Sequence, residues 1–387
     1  MSIANLNQHK STVTGSALAG QALFDCTSEL GRDFARRAAD LDAGDRFAAD
    51  NFAALKAARV LSAGVPLELG GGGASYRDLA DCLRELGRHC SGTALALAMH
   101  MHPMAAAVWR WQHEKAPVDG LLKRIASEQL MLLSTGGNDW LNGSGEAKAV
   151  EGGFRISGRK RFVSGAEAGD LLMTMAVTGD TVLHAAIPMR SEGLRIERTW
   201  QTLGMRASGS QDVVLENVFV PEAAIAVRRT AGQWHPFFHL VTKIAFPLIY
   251  SVYRGVAERL QQEVIDMAVK RRADADTQLQ IGALGAAMAG MAAAHDALLE
   301  LGDNARPAPA TSAQVLTLKR VMTQHLLDAA SLALDAAGGS AFYRANRIER
   351  LFRDLQAARY HPFTQLPQQR LAGRLALGLD ADGRDAA

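Results

Sequence analysis

Among the 11 histidines of the 387-residue chain, three stand where they invite chemistry. His361 lies in "RDLQAARYHPFT", shortly after the pair Arg353-Asp354, and His100 and His102 lie in "AMHMHPM". An imidazole titrates near neutral pH and can take or give a proton, so His361 reads as a general acid or base. His100 and His102 are expected to line the same cavity, with His100 against a substrate. They have no third ligand at metal spacing, and no metal is expected. His113, His239, His295 and His325 read as structural. Hydroxyls recur in "LLSTGGND" (Ser134, Thr135, followed by Gly137 and Asn138) and in "RFVSG" (Phe162, Val163, Ser164). By residue type alone Ser164 ends a strand, Arg271 is a cation at a helix end, Gly338-Gly339 caps a helix, and Thr364 is a turn residue.

Three structural units must position these groups. Residues 1–130 repeat apolar positions at helical period, with Leu23, Cys26, Leu30 and Phe34 on one face, and form an N-terminal helical domain. Within it "VPLELGGGGASY" reads as a flexible connector before a helix starting near Tyr76, because no Lys-Ser/Thr follows the glycines. Residues 131–228 alternate apolar and polar residues between Gly-Asp and Gly-Gly turns and form a middle β-domain. In it "QDVVLENVFVPEAAI" reads as a strand pair with Asn217 at the turn. Residues 229–387 return to helical period in four long segments, a C-terminal four-helix bundle. The Ala and Gly spacing after Leu279 predicts close helix approach.

Composition narrows the function. Hydrophobic residues make up 48% and charged residues 21%, the balance of a globular chain, and the net charge of +2 argues against nucleic acid as a partner. The polar start "MSIANLNQHK" is unlike a signal peptide, and no uninterrupted apolar run of membrane-spanning length occurs, so a cytoplasmic protein with no membrane association is expected. Cys26, Cys82 and Cys90 show neither CxxC nor zinc spacing and read as reduced thiols.

Several strings together resemble the acyl-CoA dehydrogenase family over nearly the whole chain. They are "VPLELGGGGASYRDLADCLRELGRHCSG", "STGGNDWLNGSG", "RFVSG", "TWQTLGMRASGSQDVVLENVFVP" and "AAGGSAFYRANRIERLFRD". The resemblance implies a mainly α fold with a central β-domain and FAD between β-domain and bundle. It places Ser134, Thr135, Gly137, Asn138 and the Phe162-Val163-Ser164 strand at the isoalloxazine. It places Arg271 on the FAD pyrophosphate of a neighbouring subunit, although Asp274-Ala275 stands where the family has Phe-Gly. Gly338 and Gly339 match glycines approached by that partner's FAD, and Thr364 matches a threonine on the pyrophosphate. A homodimer or homotetramer is therefore implied. Met205 and Arg206, in the Leu-Gly-Met-Arg string, are expected near the substrate.

The family's catalytic carboxylate comes eight residues after the Arg-Asp pair, where this chain has Pro362, and the alternative position on the first bundle helix is Ala245. Glu258 lies further along and reads as a surface carboxylate. His361 is the nearest titratable group, and Arg-Asp followed by a histidine, with Phe-x-Ser-Gly, is similar to the monooxygenase branch of the fold. Three readings remain open. The first is an FAD-dependent oxidoreductase acting on the CH–CH group of an acyl-CoA with an electron-transfer flavoprotein. The second is a monooxygenase using reduced FMN or FAD from a flavin reductase. The third is a non-catalytic acyl- or flavin-binding member.

Overall fold

The computed structural model describes residues 18–135, 137 and 139–382. The first unit is α1 (Gly20–Ala43), α2 (Ala49–Ala57), α3 (Tyr76–His89), α4 (Ser91–Glu114) and α5 (Asp119–Glu128). Leu23 and Phe34 of α1 are fully buried, and Cys26 and Leu30 pack at the edge of the same core. α3 begins at Tyr76 because Ser75 and Asp78 cap it reciprocally: the Asp78 N–H donates to Ser75 Oγ at 3.1 Å and the Ser75 N–H to Asp78 Oδ2 at 2.8 Å. The four glycines before it are no loose connector. Gly71, Gly72 and Gly73 donate backbone bonds to Pro66, Ser62 and Val65, and a Cβ on Gly71 would lie 2.1 Å from the Val65 carbonyl oxygen. Glycine stands there because backbone packs on backbone.

The sheet contains β1 (Leu132–Ser134), β2 (Glu146–Val150), β3 (Gly153–Val163), β4 (Leu171–Thr178), β5 (Thr181–Pro188), β6 (Leu194–Glu197), β7 (Gln211–Pro221) and β8 (Ile225–Thr230). Its order is β6-β7-β3-β2-β4-β5-β8, with β1 parallel to β4 at one side. Asn217 does not turn a strand pair: β7 runs through it, and its φ of +56° sits where the β3–β7 register slips between Ile156 and Gly158. An asparagine tolerates that left-handed conformation, which accommodates the bulge. Beyond the slip Lys160 is buried, and its Nζ donates to Ser144 O at 2.7 Å, Ser144 Oγ at 2.8 Å and Met175 O at 2.7 Å, fastening the loop after β1 to the sheet.

The last unit has three long helices, α6 (Phe237–Ala268), α7 (Ala275–Asn304) and α8 (Pro309–Ala337). The expected fourth is split into α9 (Arg347–Leu355) and α10 (Gln365–Ala376), with His361-Pro362 in the break. α9 has already given way to a 3₁₀ turn over Gln356–Arg359, and Pro362, which cannot donate a backbone bond and disfavours helix at the residue before it, keeps the break open until α10. Close approach in α7 holds at Gly290, where a Cβ would meet the His325 ring at 2.6 Å, but Gly282 and Gly285 face open space. α7 is also long and apolar enough by composition to cross a membrane, but buried Leu284, Met288 and Met291 belong to the bundle core.

Candidate active site

Arg353 and Asp354 on α9 tie the three units together. Arg353 Nη2 and Nη1 donate to the Asp42 carboxylate at 2.6 and 3.2 Å, Nη1 also to Leu203 O at 2.7 Å, and Nε to Glu349 at 2.7 Å. Asp354 is buried; its Oδ2 accepts from the Ser91 hydroxyl at the start of α4 and its Oδ1 from the Met205 N–H at 2.5 Å. Burial pushes the Asp354 carboxyl pKa up, while Ser91 and Met205 N–H pull it down. A Cβ on Gly204 would lie 2.4 Å from the Arg353 carbonyl oxygen, so the Leu-Gly-Met-Arg segment needs glycine to seat against α9. Met205 and Arg206 belong to this junction. Met205 is 1% exposed and its carbonyl accepts from Trp200 Nε1, and Arg206 is held by Thr202 O, Asp42 and Asp45.

Beyond α9 the chain turns and brings His361 near Tyr253 of α6, Lys319 of α8 and His102 of α4. The Tyr253 ring meets the His361 ring edge-on, centroids 5.3 Å apart. Burial first, then the Lys319 ammonium and His102, push the His361 pKa down to about 3. Burial and His100 hold His102 at about 3 as well. Both imidazoles are neutral at neutral pH. The Tyr253 hydroxyl is buried with no hydrogen-bond partner among the described residues, an arrangement that costs free energy unless a ligand satisfies it.

His100, the histidine expected at the substrate, is instead fully used by the fold. Its ring nitrogens meet Leu61 O at 2.7 Å and the Leu132 N–H at 3.0 Å, tying α4 to β1. The Leu132 N–H makes Nδ1 the acceptor, which leaves Nε2 the donor. His102, two residues on, is the one that reaches His361 electrostatically. Ala245 is buried on α6, and Glu258 is not a surface carboxylate: it binds Arg84 at 2.6 Å, Arg254 at 3.1 Å and Arg88 at 3.2 Å. Burial raises its pKa, but Arg84 and Arg254 outweigh it and hold the carboxyl low.

The expected flavin-facing residues fall into three groups. The loop after β1 meets the histidine turn, since a Cβ on Gly137 would lie 2.2 Å from Pro362 Cγ, and Trp140 packs edge-on against Phe363 at 4.9 Å. Ser134 ends β1, and Thr135 Oγ1 donates to Met173 O at 3.1 Å. Asn138 lies outside the described residues. In the second group Ser164 Oγ bonds Ser210 Oγ at 2.8 Å, which bonds Ser208 Oγ at 2.7 Å. Val163 is buried, while Phe162, at φ +58°, turns outward, 63% exposed, its ring edge-on to Trp200 at 6.1 Å. The third group joins Arg271, whose Nη2 donates to Ala336 O at 2.9 Å, with Gly338 and Gly339 at the end of α8. A Cβ at either glycine would meet nothing within 4 Å, and Gly338 has φ +66°. Thr364 starts α10 with no side-chain cap bond, beside a cleft lined by Lys319, Arg320 and Arg359.

Sequence reasoning passed over Lys319, Tyr253 and Trp200. Lys319 carried a signal: Val315, Leu316, Met322 and Leu326, at helical spacing around it, are all buried, so it lies on the core face of α8.

Three family descriptions match the chain in order: the acyl-CoA dehydrogenase N-terminal domain over residues 26–127, the middle domain over 134–218 and the C-terminal domain over 249–366. The amino sugar nitrososynthase RubN8 of Streptomyces rubradiris is 27% identical over 89% of this chain and 87% of its own length. Dibenzothiophene monooxygenase of Mycolicibacterium goodii is 22% identical over 87% of this chain and 89% of its own. Cyclohex-1-ene-1-carbonyl-CoA dehydrogenase of Geobacter metallireducens matches too, 26% identical over 89% of this chain and 94% of its own length. Among solved structures, KijD3 in complex with FMN and a dTDP-linked amino sugar superposes with a TM-score of 0.83, 21% identity, over 96% of this chain and 98% of that one, which establishes the shared fold. The three matched domains, in this order and over most of the chain, show that it belongs to the acyl-CoA dehydrogenase family.

Proposed function

We propose that the chain is a flavin-dependent monooxygenase that oxidises a heteroatom or an aromatic carbon of a small organic molecule, with reduced FMN or FAD supplied by a separate reductase. The observation that carries this reading is the character of the acid-base position. Pro362 stands where a carboxylate would abstract an α-proton, and His361 beside it is an imidazole whose protonation is disfavoured by burial, Lys319 and His102. A neutral imidazole is suited instead to hydrogen bonding, accepting at one nitrogen and donating at the other without adding charge. The names of the relatives, nitrososynthase and dibenzothiophene monooxygenase, point the same way.

The residues fit a flavin. Gly338 and Gly339 leave open space that a Cβ would narrow, and Ser164 brings a chain of three hydroxyls to the end of β3, where protons can be relayed at a ring edge. When bound, a reduced flavin supplies electrons to dioxygen. The chain's own part is to hold the ring between the β1 loop, the Phe162-Val163-Ser164 strand and the histidine turn. His361 and His102 then orient the reacting oxygen and the Tyr253 hydroxyl finds a partner in the bound ligand. Arg271, Gly338 and Gly339 serve the cofactor of a second copy, which makes the working form a homo-oligomer.

The test is twofold. Protein mixed anaerobically with chemically reduced FMN or FAD, then exposed to oxygen with amines, thioethers and indole, should yield product carrying one oxygen atom from dioxygen. Anaerobic titration of the oxidised flavoprotein with acyl-CoAs should leave the visible spectrum unchanged. Bleaching by an acyl-CoA would overturn the reading in favour of dehydrogenation.

A further inference from the structure

Lys319 is 2% exposed, on the core face of α8. Its Nζ donates to His361 O at 2.9 Å, Phe363 O at 2.8 Å and Gln368 Oε1 at 3.0 Å, the full complement of an ammonium. No carboxylate pairs with it among the described residues; it lies over the rings of Phe246 and Tyr250 at 5.2 and 5.8 Å. A buried charge without a counter-ion is costly. A methionine would fill the same slot without that cost, so what the ammonium adds is three directed hydrogen bonds. Among the described residues these are the only hydrogen bonds made by the backbone of residues 361 to 363, because the neighbouring turn bonds stop at the Tyr360 N–H and resume at the Thr364 carbonyl. Gln368 in turn donates to Leu316 O at 2.5 Å, so the clamp is anchored on α8 at both ends.

We propose that Lys319 is a positioning residue for the active site: its ammonium fixes the turn that carries His361, and so sets where the imidazole meets His102 and Tyr253. The effect on turnover rests on the monooxygenase reading; the effect on the turn does not. Charged and titratable neighbours come from every side: Arg320 on α8, Arg359 in the turn after α9, Tyr250 on α6, and, beyond His361, His102 on α4; α10 contributes the neutral Gln368. Burial first, then Arg320, bring Lys319 down to about 7, so one of its three donors is lost around neutrality.

Lys319→Met, Lys319→Arg and the milder Gln368→Leu, each in the full chain, test this by hydrogen exchange and by imidazole resonances of histidine-labelled protein, both read without cofactor or substrate. Lys319→Met should raise exchange across residues 356 to 366 by about tenfold or more while other regions hold, and shift the His361 ring signals. Lys319→Arg should restore part of the protection, and Gln368→Leu should cause a smaller rise at the same residues. In turnover, Lys319→Met should lower kcat more than it changes KM and abolish any pH limb near 7. Unchanged exchange and an unmoved His361 signal in a folded Lys319→Met protein would overturn the proposal. Were that variant not to fold, unchanged exchange in Gln368→Leu would do the same. Turn loosening without measurable oxygenation in the wild type would uphold the clamp and count against the monooxygenase reading alone.

Discussion

Asp354 accepts from Ser91 and from Met205 N–H, and Arg353 beside it is grasped by Asp42 and Glu349. Seven residues later His361 lies beside a lysine without a counter-ion and a tyrosine without a partner. The first region is polar and closed: Arg353 meets two carboxylates, both Asp354 oxygens have donors, and three structural units lock on that one carboxylate. The second is polar and open, with neutral imidazoles, an unanswered hydroxyl and a cation bonded only to neutral oxygens. Polar satisfaction separates them, because a saturated network holds the fold while an unsaturated one leaves free energy for a ligand to release.

Breaking the closed region should have the largest effect. Asp354→Ala strands the Ser91 hydroxyl and the Met205 N–H, and should cost about 2–5 kcal/mol, read as a shift of the denaturation midpoint. Removing the imidazole from the open region should do the reverse. His361→Ala should lower oxygenation by about two orders of magnitude, the loss of one positioned hydrogen-bonding group. Its melting temperature should stay near the wild type's, since the backbone carbonyl that Lys319 grips is kept. Unchanged turnover would remove His361 from the mechanism.

The two histidines on α4 sharpen the contrast within one turn of helix. His100→Leu should destabilise by about 1–3 kcal/mol, because it strands the Leu61 carbonyl and the Leu132 N–H. His102→Leu should fall chiefly on turnover, and equal stability losses in the two variants would erase the distinction.

Acidification probes both regions. His361 and His102 sit near 3, and His100, His184 and His295 near 4, all below the ordinary 6.5. Between roughly pH 6.5 and 4 the unfolded chain binds protons that the folded chain refuses, so stability is full above that window and falls as pH drops through it. Each such histidine should add about 1.4 kcal/mol per pH unit to the slope, and His361→Gln should flatten it by one proton, measured by urea unfolding at stepped pH. The smallest expected effect is that of Tyr253→Phe. Removing an unpartnered buried hydroxyl should leave unfolding free energy within about 1 kcal/mol of wild type, or raise it. A clear loss would reveal a partner in the protein and close the open region.

Much of this was legible in the chain. Helical period marked α1 and α3, alternation marked the sheet, and the Leu-Gly-Met-Arg and Arg-Asp strings marked the family, because burial periodicity and close backbone approach are local demands on residue type. Asn217 misled, since an asparagine at positive φ serves a bulge as readily as a hairpin turn. The glycine loop misled too: its glycines answer to Val65 and Ala63, a contact that local sequence cannot show.

The sequence by itself determined the kind of protein: helices, a sheet and more helices, with a histidine and a proline where a carboxylate belongs. Only the tertiary structure decided which of His100 and His102 stays with the fold, that Glu258 is consumed by arginines, and that Lys319 turns inward to hold the His361 turn. The reason is that a titratable side chain's role depends on its dielectric surroundings and hydrogen-bond partners, and these come from segments distant in the chain.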